Sequence, residues 1–537
     1  MHDISFSRET KFDHQVDLGH KRVLAFMATA FKYPIVRTTP ARPLAPGIIL
    51  MALVLAVTFL ALVLNSDLTD EFPYLYLLPW ILALAAVFLI PSVILYYQGK
   101  LTLYNPLVFA TWSYFFPAFV VGGLMLTSGW SQPFFLSFIQ DAEYNLPYTI
   151  VLIMVGFGTL ALGYFSSLGF KAGILIERYL PSRDYQASAM VVPGICLLLL
   201  GIFNSIGALI LGVIGYQRAV AFESYDGLVF LTTLFWMQGT FLLWYTIFKQ
   251  RTLNIQTFVI MVLLFTASII KALYSGNRAG LLQAFIVVIL AFLLSGRRFN
   301  FTKSVVAGAI LAVCLIAGMI YGTTFRNVKG SESQVSIDEY TTNILDTVDK
   351  VGSSDARNAM ELGFLSLAER IDTLSSVAVV VSSYEQLFPY EESYGLDNNI
   401  WKDISTFFIP RVLWKEKPVA SEPHKYSDLY FNYADNSFAI TPIGDLLRNY
   451  GPIGVPIGMF IFGIILRMIY RALIEDQPKL VSRVTLYFML LLAISYESFY
   501  GSLVPVLFKI GITSLLGILI VNIIAKSMGY RKTAAAN

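Results

Sequence analysis

The feature that most constrains this chain is a succession of apolar runs, each about 20 residues long and nearly free of charge. A run of that length matches the hydrocarbon thickness of a bilayer at 1.5 Å per helical residue. Spans are expected near 45–65, 74–97, 104–126, 147–168, 189–214, 228–247, 256–273, 279–295, 304–323, 449–470, 484–501 and 504–525. With 56% hydrophobic and only 14% charged residues, a soluble domain is excluded. The expectation is an all-α polytopic membrane protein with about twelve transmembrane helices. Cys196 and Cys314 each sit inside an apolar run and read as small buried hydrophobes, and His424 is the one histidine beyond the first 20 residues. No metal site and no cofactor are expected, and nothing points to nucleic acid.

Residues 1–44 are polar and mixed in charge, with no signal-peptide core. Residues 20–36 mix apolar and basic positions, suiting either a helix on the inner leaflet or a partner-binding tail. The tail carries seven Lys and Arg from Arg8 to Arg42. With it inside, the later inside loops collect Lys100, Lys171, Arg178, Arg183, Lys249, Arg251, Arg297, Arg298, Lys303, Arg467, Arg471, Lys479, Arg483, Lys526, Arg531 and Lys532. The first two outside loops hold no Lys or Arg. The positive-inside rule therefore places both termini in the cytoplasm. Residues 45–323 then form spans 1–9, 324–448 one large periplasmic loop, 449–525 spans 10–12, and 526–537 a cytoplasmic tail.

Against that bias, Lys271 and Arg278 in "KALYSGNRAGLLQAF" and Arg218 in "GYQRAVAFESYDG" fall on the outside. Cations there snorkel to headgroups, join a structural ion pair, or hold an anion. The large loop is too long for a passive connection. Met360, Phe364, Leu367, Ile371, Leu374 and Ala378 recur at helical spacing. Arg370 and Asp372, two apart on that helix, do not neutralise each other. In "FIPRVLWKEKP", residues 408–418, Pro410 suits a helix start and Pro418 a stop, which would put Arg411 and Lys415 on one face beside Trp414. Two like charges at that spacing repel unless a polyanion joins them. Trp414 serves equally as a sugar platform or an interface anchor. Asp445 and Arg448 precede the tenth span, and Glu497 lies near the outer end of the eleventh, flanked by Tyr496 and Tyr500. Asp445 fits a helix-start acid as well as a reactive one, and Glu497 a structural ion pair as well as a base.

No nucleotide-binding or metalloprotease signature is present, and no inside loop could hold a nucleotide-sugar domain. An enzyme of this layout works at the outer face on a substrate that arrives already activated. Lipid-linked diphospho-sugars meet that need, because the diphosphate is the leaving group and cations stabilise its developing charge. Arg278, Arg411 and Arg218, with Lys415 and Lys417, are the candidate diphosphate ligands. Asp372, Asp445, Glu497 and, less favoured, His424 are the candidate bases. Arg370, Trp414, Arg448, Tyr450 and Tyr496 are candidate glycan contacts.

"YSGNRAGLL", "ERID" at 369–372, "FIPRVLWKEKP" and "SFAITPIGDLLRNYGPIGVPIGMF" occur in that order. Over roughly residues 250–525 the chain thereby resembles the Wzy-type oligosaccharide repeat-unit polymerases of O-antigen and related surface polysaccharides. The resemblance implies a fold related to the C superfamily of membrane glycosyltransferases (GT-C). It also implies joining of undecaprenyl-diphosphate-linked repeats at the periplasmic face of a bacterial inner membrane, with growth at the reducing end. Arg278, Arg411 and Lys417 fall on recurrent basic positions of that family. Asp445 stands where many members carry Glu, and the R-x10-G repeats of some members are absent. Implied partners are the lipid-linked oligosaccharide, membrane lipids and a possible chain-length regulator. Two alternatives are a ligase-like transferase to another acceptor and a flippase or transporter for the same lipids. A transporter favours midplane charges and symmetry between halves, whereas these charges gather at one face.

Overall fold

A computed structural model describes residues 72–214, 225–250, 254–274, 280–298, 300–329, 337–352, 367–434, 437–477 and 479–534. The expected span 45–65, the amino-terminal tail, Arg218 and Arg278 lie outside these residues. So do Met360 and Phe364 of the expected loop helix.

The chain is an all-α membrane protein. Nine helices among the described residues are long and apolar enough to cross a bilayer: α1 Leu75–Tyr97, α2 Pro106–Thr127, α3 Ala142–Phe165, α5 Ala187–Ile210, α6 Asp226–Gln250, α7 Ile255–Tyr274, the Ser304–Gly322 part of α9 Phe301–Lys329, α14 Thr441–Leu473 and α16 Tyr500–Ser527. Two shorter apolar helices, α8 Gly280–Leu294 and α15 Val481–Ala493, take the places of the expected eighth and eleventh spans. Helix α4 Ser167–Glu177 links α3 to α5, and α10 Ile337–Gly352 follows α9. In an apolar solvent a helix is the economical choice, since each peptide group is satisfied within its own segment.

Lipid tails are as apolar as leucine, so packing between spans depends on close backbone approach. A Cβ added at Gly163 of α3 would lie 2.0 Å from the Phe460 carbonyl, and one at Gly463 of α14 would lie 2.1 Å from the Leu160 carbonyl. The α3–α14 crossing is therefore made by glycine on both sides. Cys196, expected to be buried, is exposed on the outer surface of α5, whereas Cys314 is buried as expected.

The loops expected to be basic converge on one end of the bundle. Glu475 sits between Lys100 (3.0 Å) and Arg467 (2.6 Å), and Arg471 pairs with Glu177 at 3.3 Å. Arg483 donates to the Pro181 carbonyl, and Arg297 to that of Phe248. The β pairing found among the described residues is here too: β1 Arg183–Asp184 runs antiparallel to β2 Thr533–Ala534.

At the opposite end, α14 departs from its expected start. It begins at Thr441 and bends at Gly451, whose φ of 67° and ψ of −170° suit glycine alone. The ten residues before the bend are mostly buried and carry polar groups. Here α14 meets the segment between α10 and α14, comprising α11 Thr373–Tyr394, α12 Asn399–Thr406 and α13 Pro423–Phe431. The expected continuous helix through residues 371–374 is broken at Asp372. That residue has non-helical backbone angles, and its Oδ1 accepts from the Ser375 amide, capping α11. The expected helix from Pro410 is instead a pair of turns closed by Trp414 N–H to Pro410 O and Lys417 N–H to Trp414 O. Seven residues between two prolines give too little propagation to offset helix nucleation.

Candidate functional site

The expected eleventh span stops early. Helix α15 ends at Ala493, and α16 starts at Tyr500, leaving residues 494–499 without helical structure. Irregular backbone in a membrane protein is tolerated where it is enclosed by protein or borders a water-filled space. Here it borders a cavity of about 690 Å³.

Four other segments complete the chamber. Between α2 and α3, the single turn Phe134–Phe138 contributes Phe134 and Phe135. These rings pack edge-on against Phe438, at 5.8 and 5.5 Å between centroids, and so hold that side chain in place. Ser421 and Pro423 close another side, and Arg370, Asp372, Thr373 and Ser376 line the start of α11. From the helix break come Glu497, Ser498 and, one turn into α16, Ser502. One wall is thus aromatic and the other is hydroxyl-rich and charged.

Arg370 and Glu497 meet on the chamber lining as an ion pair at 3.5 Å, each with about half its side chain accessible. The distance is long for a hydrogen bond, so both retain capacity for a ligand. Asp372 behaves differently. It is buried, and its carboxylate accepts from Ser131 Oγ at 2.8 Å and from Ser375 Oγ at 2.6 Å as well as from the Ser375 amide. Burial raises its pKa to about 6 despite these donors. The close approach that places it depends on Gly122, where a Cβ would lie 2.6 Å from the Ile371 carbonyl and 2.8 Å from Asp372 Cα.

A buried polar network forms the chamber's support. Arg448, fully buried, pairs with Asp445 at 2.9 Å and Glu391 at 3.1 Å. It also donates to Asn399 Oδ1 and to the Leu396 carbonyl. Tyr430 donates to Glu391, and the Gly501 amide to Asp445 Oδ2. Asp403 accepts from the Ser421 amide and from Ser421 Oγ, and burial raises its pKa to about 6. The network ties α11, α12 and α13 to both α14 and α16. Ser421, with φ of 57°, and Thr441, with φ of 63°, hold left-handed backbone angles beside it. For a β-branched threonine that is a strained state, of order 1–3 kcal/mol.

Of the residues expected from sequence, Arg370, Asp372 and Glu497 come together in the chamber. Asp445 and Arg448 are committed to each other and to Glu391 beneath it. His424 is exposed on α13, its Nδ1 3.1 Å from the Ala434 carbonyl. Tyr496 is buried between Tyr114, Phe115 and Phe462, and Tyr450 lies at the surface near the α14 bend. Arg411, Trp414, Lys415 and Lys417 sit on the turns after α12, outside the chamber lining. Sequence reasoning did not single out Ser131, Phe134, Phe135, Ser421, Tyr433 or Phe438. The signal available was a polar, aromatic-rich stretch, "SGWSQPFFLSF", where a bare interhelical turn would have sufficed. No three His, Cys, Asp or Glu side chains gather as metal ligands among the described residues.

Fold and site together define a helical membrane protein with a polar chamber at the end of the bundle remote from its basic loops. Residues 168–473 match the family described as a domain of unknown function (DUF8712), more than half of the chain, which therefore belongs to that family. No curated protein and no solved structure matches it. The family's extent includes Arg370, Asp372 and the side chains of the polar network but stops short of Glu497 and of Gly501.

Proposed function

We propose that the protein is a membrane glycosyltransferase that polymerises undecaprenyl-diphosphate-linked oligosaccharide repeats at the periplasmic face of the inner membrane. The observation that carries this reading is the chamber itself: one arginine, the three carboxyl groups of Glu369, Asp372 and Glu497, a row of hydroxyls and an aromatic wall, in a space large enough for several sugar rings. Ligand pockets commonly fall in this volume range. The chamber lies opposite the basic end. With that end cytoplasmic by the positive-inside rule, the chamber opens outward. Adding the expected span 45–65 to the eleven apolar helices gives twelve spans and returns both termini to the cytoplasm.

In the proposed reaction the bond between C1 of the donor sugar and the diphosphate oxygen breaks, and the bonding pair leaves with the diphosphate. Arg370 stabilises the charge that develops there. A hydroxyl of the second repeat forms the new bond to C1 and passes its proton to a chamber carboxylate. Glu497 is accessible for that role, while Asp372, with its pKa near 6, is poised to hold or release a proton at the same wall. The aromatic wall supplies faces on which sugar rings stack.

The test supplies the purified full-length protein with a polyprenyl-diphosphate oligosaccharide and resolves the products. A ladder of repeat lengths is expected, with Arg370→Ala and Glu497→Gln each reducing its rate by about a hundredfold or more. A full ladder from both variants would refute the site. A single transfer to another acceptor would make the protein a ligase-like transferase, and unreacted substrate moved across the bilayer would make it a transporter.

A further inference from the structure

At the basic end of the bundle one carboxylate is buried without a cation. Asp184 lies in the turn between α4 and α5. Its Oδ1 accepts from the Tyr185 amide at 2.8 Å, and its Oδ2 from the Ser482 amide at 2.7 Å, in the first turn of α15. That helix start offsets part of its charge. Among the described residues no Lys or Arg forms an ion pair with Asp184. Lys532, beside the paired strand, lies over the ring of Tyr185 instead. A charge buried in this way is costly unless it is paired or binds a metal ion.

Asp184 borders a cavity of about 10 Å³, room for about one water-sized sphere. Gln238 of α6, Ser482 and Thr485 of α15 and Asn522 of α16 share its wall, and apolar side chains complete it. In so small a space one occupant touches several wall atoms at once. Gln238 is buried, and its Nε2 donates to the Ser514 carbonyl at 2.8 Å. That bond fixes the amide and leaves Oε1 as an acceptor without a hydrogen bond. Gln238 reaches this position because Gly517 has no side chain: a Cβ there would lie 2.1 Å from Oε1. Thr485 is also buried, and its Oγ1 makes no hydrogen bond. A helical threonine can bond the carbonyl four residues back, as Thr246 does on α6 and Thr513 on α16. Thr485 forgoes that bond and lines the cavity. Oxygen donors of this kind suit hard cations. A single carboxylate balances a single positive charge, whereas a divalent ion would leave charge uncompensated among apolar groups.

We infer that Asp184, Gln238 and Thr485 hold one alkali cation, which locks the α4–α5 turn to α6, α15 and α16. The site lies at the end of the bundle opposite the chamber and holds whether or not the chamber transfers sugars. Sodium and potassium share the chemistry.

The experiment follows thermal unfolding of the full-length protein in detergent at constant ionic strength, in the chloride of sodium, potassium or N-methyl-D-glucamine. The wild-type midpoint is expected to rise by about 2–4 °C, saturably, in sodium, potassium or both over N-methyl-D-glucamine. Whichever salt gives the rise identifies the ion. Thr485→Val and Asp184→Asn should each remove most of it. In N-methyl-D-glucamine the valine variant should match or exceed wild type, since it deletes a buried oxygen that makes no hydrogen bond. Glu177→Gln, which removes a carboxylate from the same end of the bundle, should keep the rise. Equal wild-type midpoints in all three salts would mean that the cavity takes water alone and would overturn the site. So would a full ion-dependent rise in folded Thr485→Val.

Discussion

Replacing Arg448 with methionine would test the claim that the chamber stands on a buried charge network. Its guanidinium is fully buried between Asp445 at 2.9 Å and Glu391 at 3.1 Å. Each contact at about 3 Å is worth about 5 kcal/mol of Coulomb attraction at an effective dielectric near 20, before desolvation is subtracted. Methionine fills much of the volume but leaves two buried carboxylates facing each other with no cation. Breaking a buried pair in this way costs about 3–5 kcal/mol. The triple variant Glu391→Gln, Asp445→Asn, Arg448→Met removes every charge together and should recover most of that loss. Unfolding by SDS titration in mixed micelles gives the free energies. A single variant within about 1 kcal/mol of wild type, or a triple variant no better than the single, would refute the reasoning.

Asp372 makes a pH prediction of definite sign. Its carboxyl ionises near 3.8 unfolded but near 6 in the folded chain. Between those values the folded state holds more protons, so stability falls as pH rises from 4 to 6, by about 2–3 kcal/mol. The difference between wild type and Asp372→Asn, measured by the same unfolding titration, should show that drift. A parallel pair of curves would contradict the burial argument. Gly122→Ala pushes a methyl into the Ile371 and Asp372 backbone. It should cost about 1–3 kcal/mol in unfolding and loosen the chamber wall. Gly451→Ala at the α14 bend should cost a similar amount, because a φ of 67° with an extended ψ is open only to glycine. If thermal unfolding of this variant matches wild type, the bend is not held as described.

How far the sequence alone could be read followed the physics of each signal. Apolar runs announced the spans, since length and absence of charge are one-dimensional properties. Spans such as 74–97 and 228–247 fall within a few residues of α1 and α6. The clustering of basic loops at one end was legible for the same reason. What local sequence could not supply was pairing at a distance. Asp445 and Arg448 stand three residues apart and look like site residues. Their commitment follows from Glu391 and Asn399, some fifty residues upstream. The break after Ala493 was hidden because Ser495, Glu497 and Ser498 are too few to interrupt the long apolar stretch around them, and only the chamber they border explains the break. The Arg370–Glu497 encounter joins positions 127 residues apart, and no periodicity encodes that.

The short pairing of Thr533–Ala534 with Arg183–Asp184 has a practical corollary. Asp184 also accepts from the Ser482 amide, and Lys532 lies over the ring of Tyr185. Residues 532–534 thus clasp the turn between α4 and α5, which Asp184 ties in turn to the start of α15. A purification tag fused there pulls on that clasp directly. Trimming the chain after α16 would leave the 180–185 turn to find new partners in water.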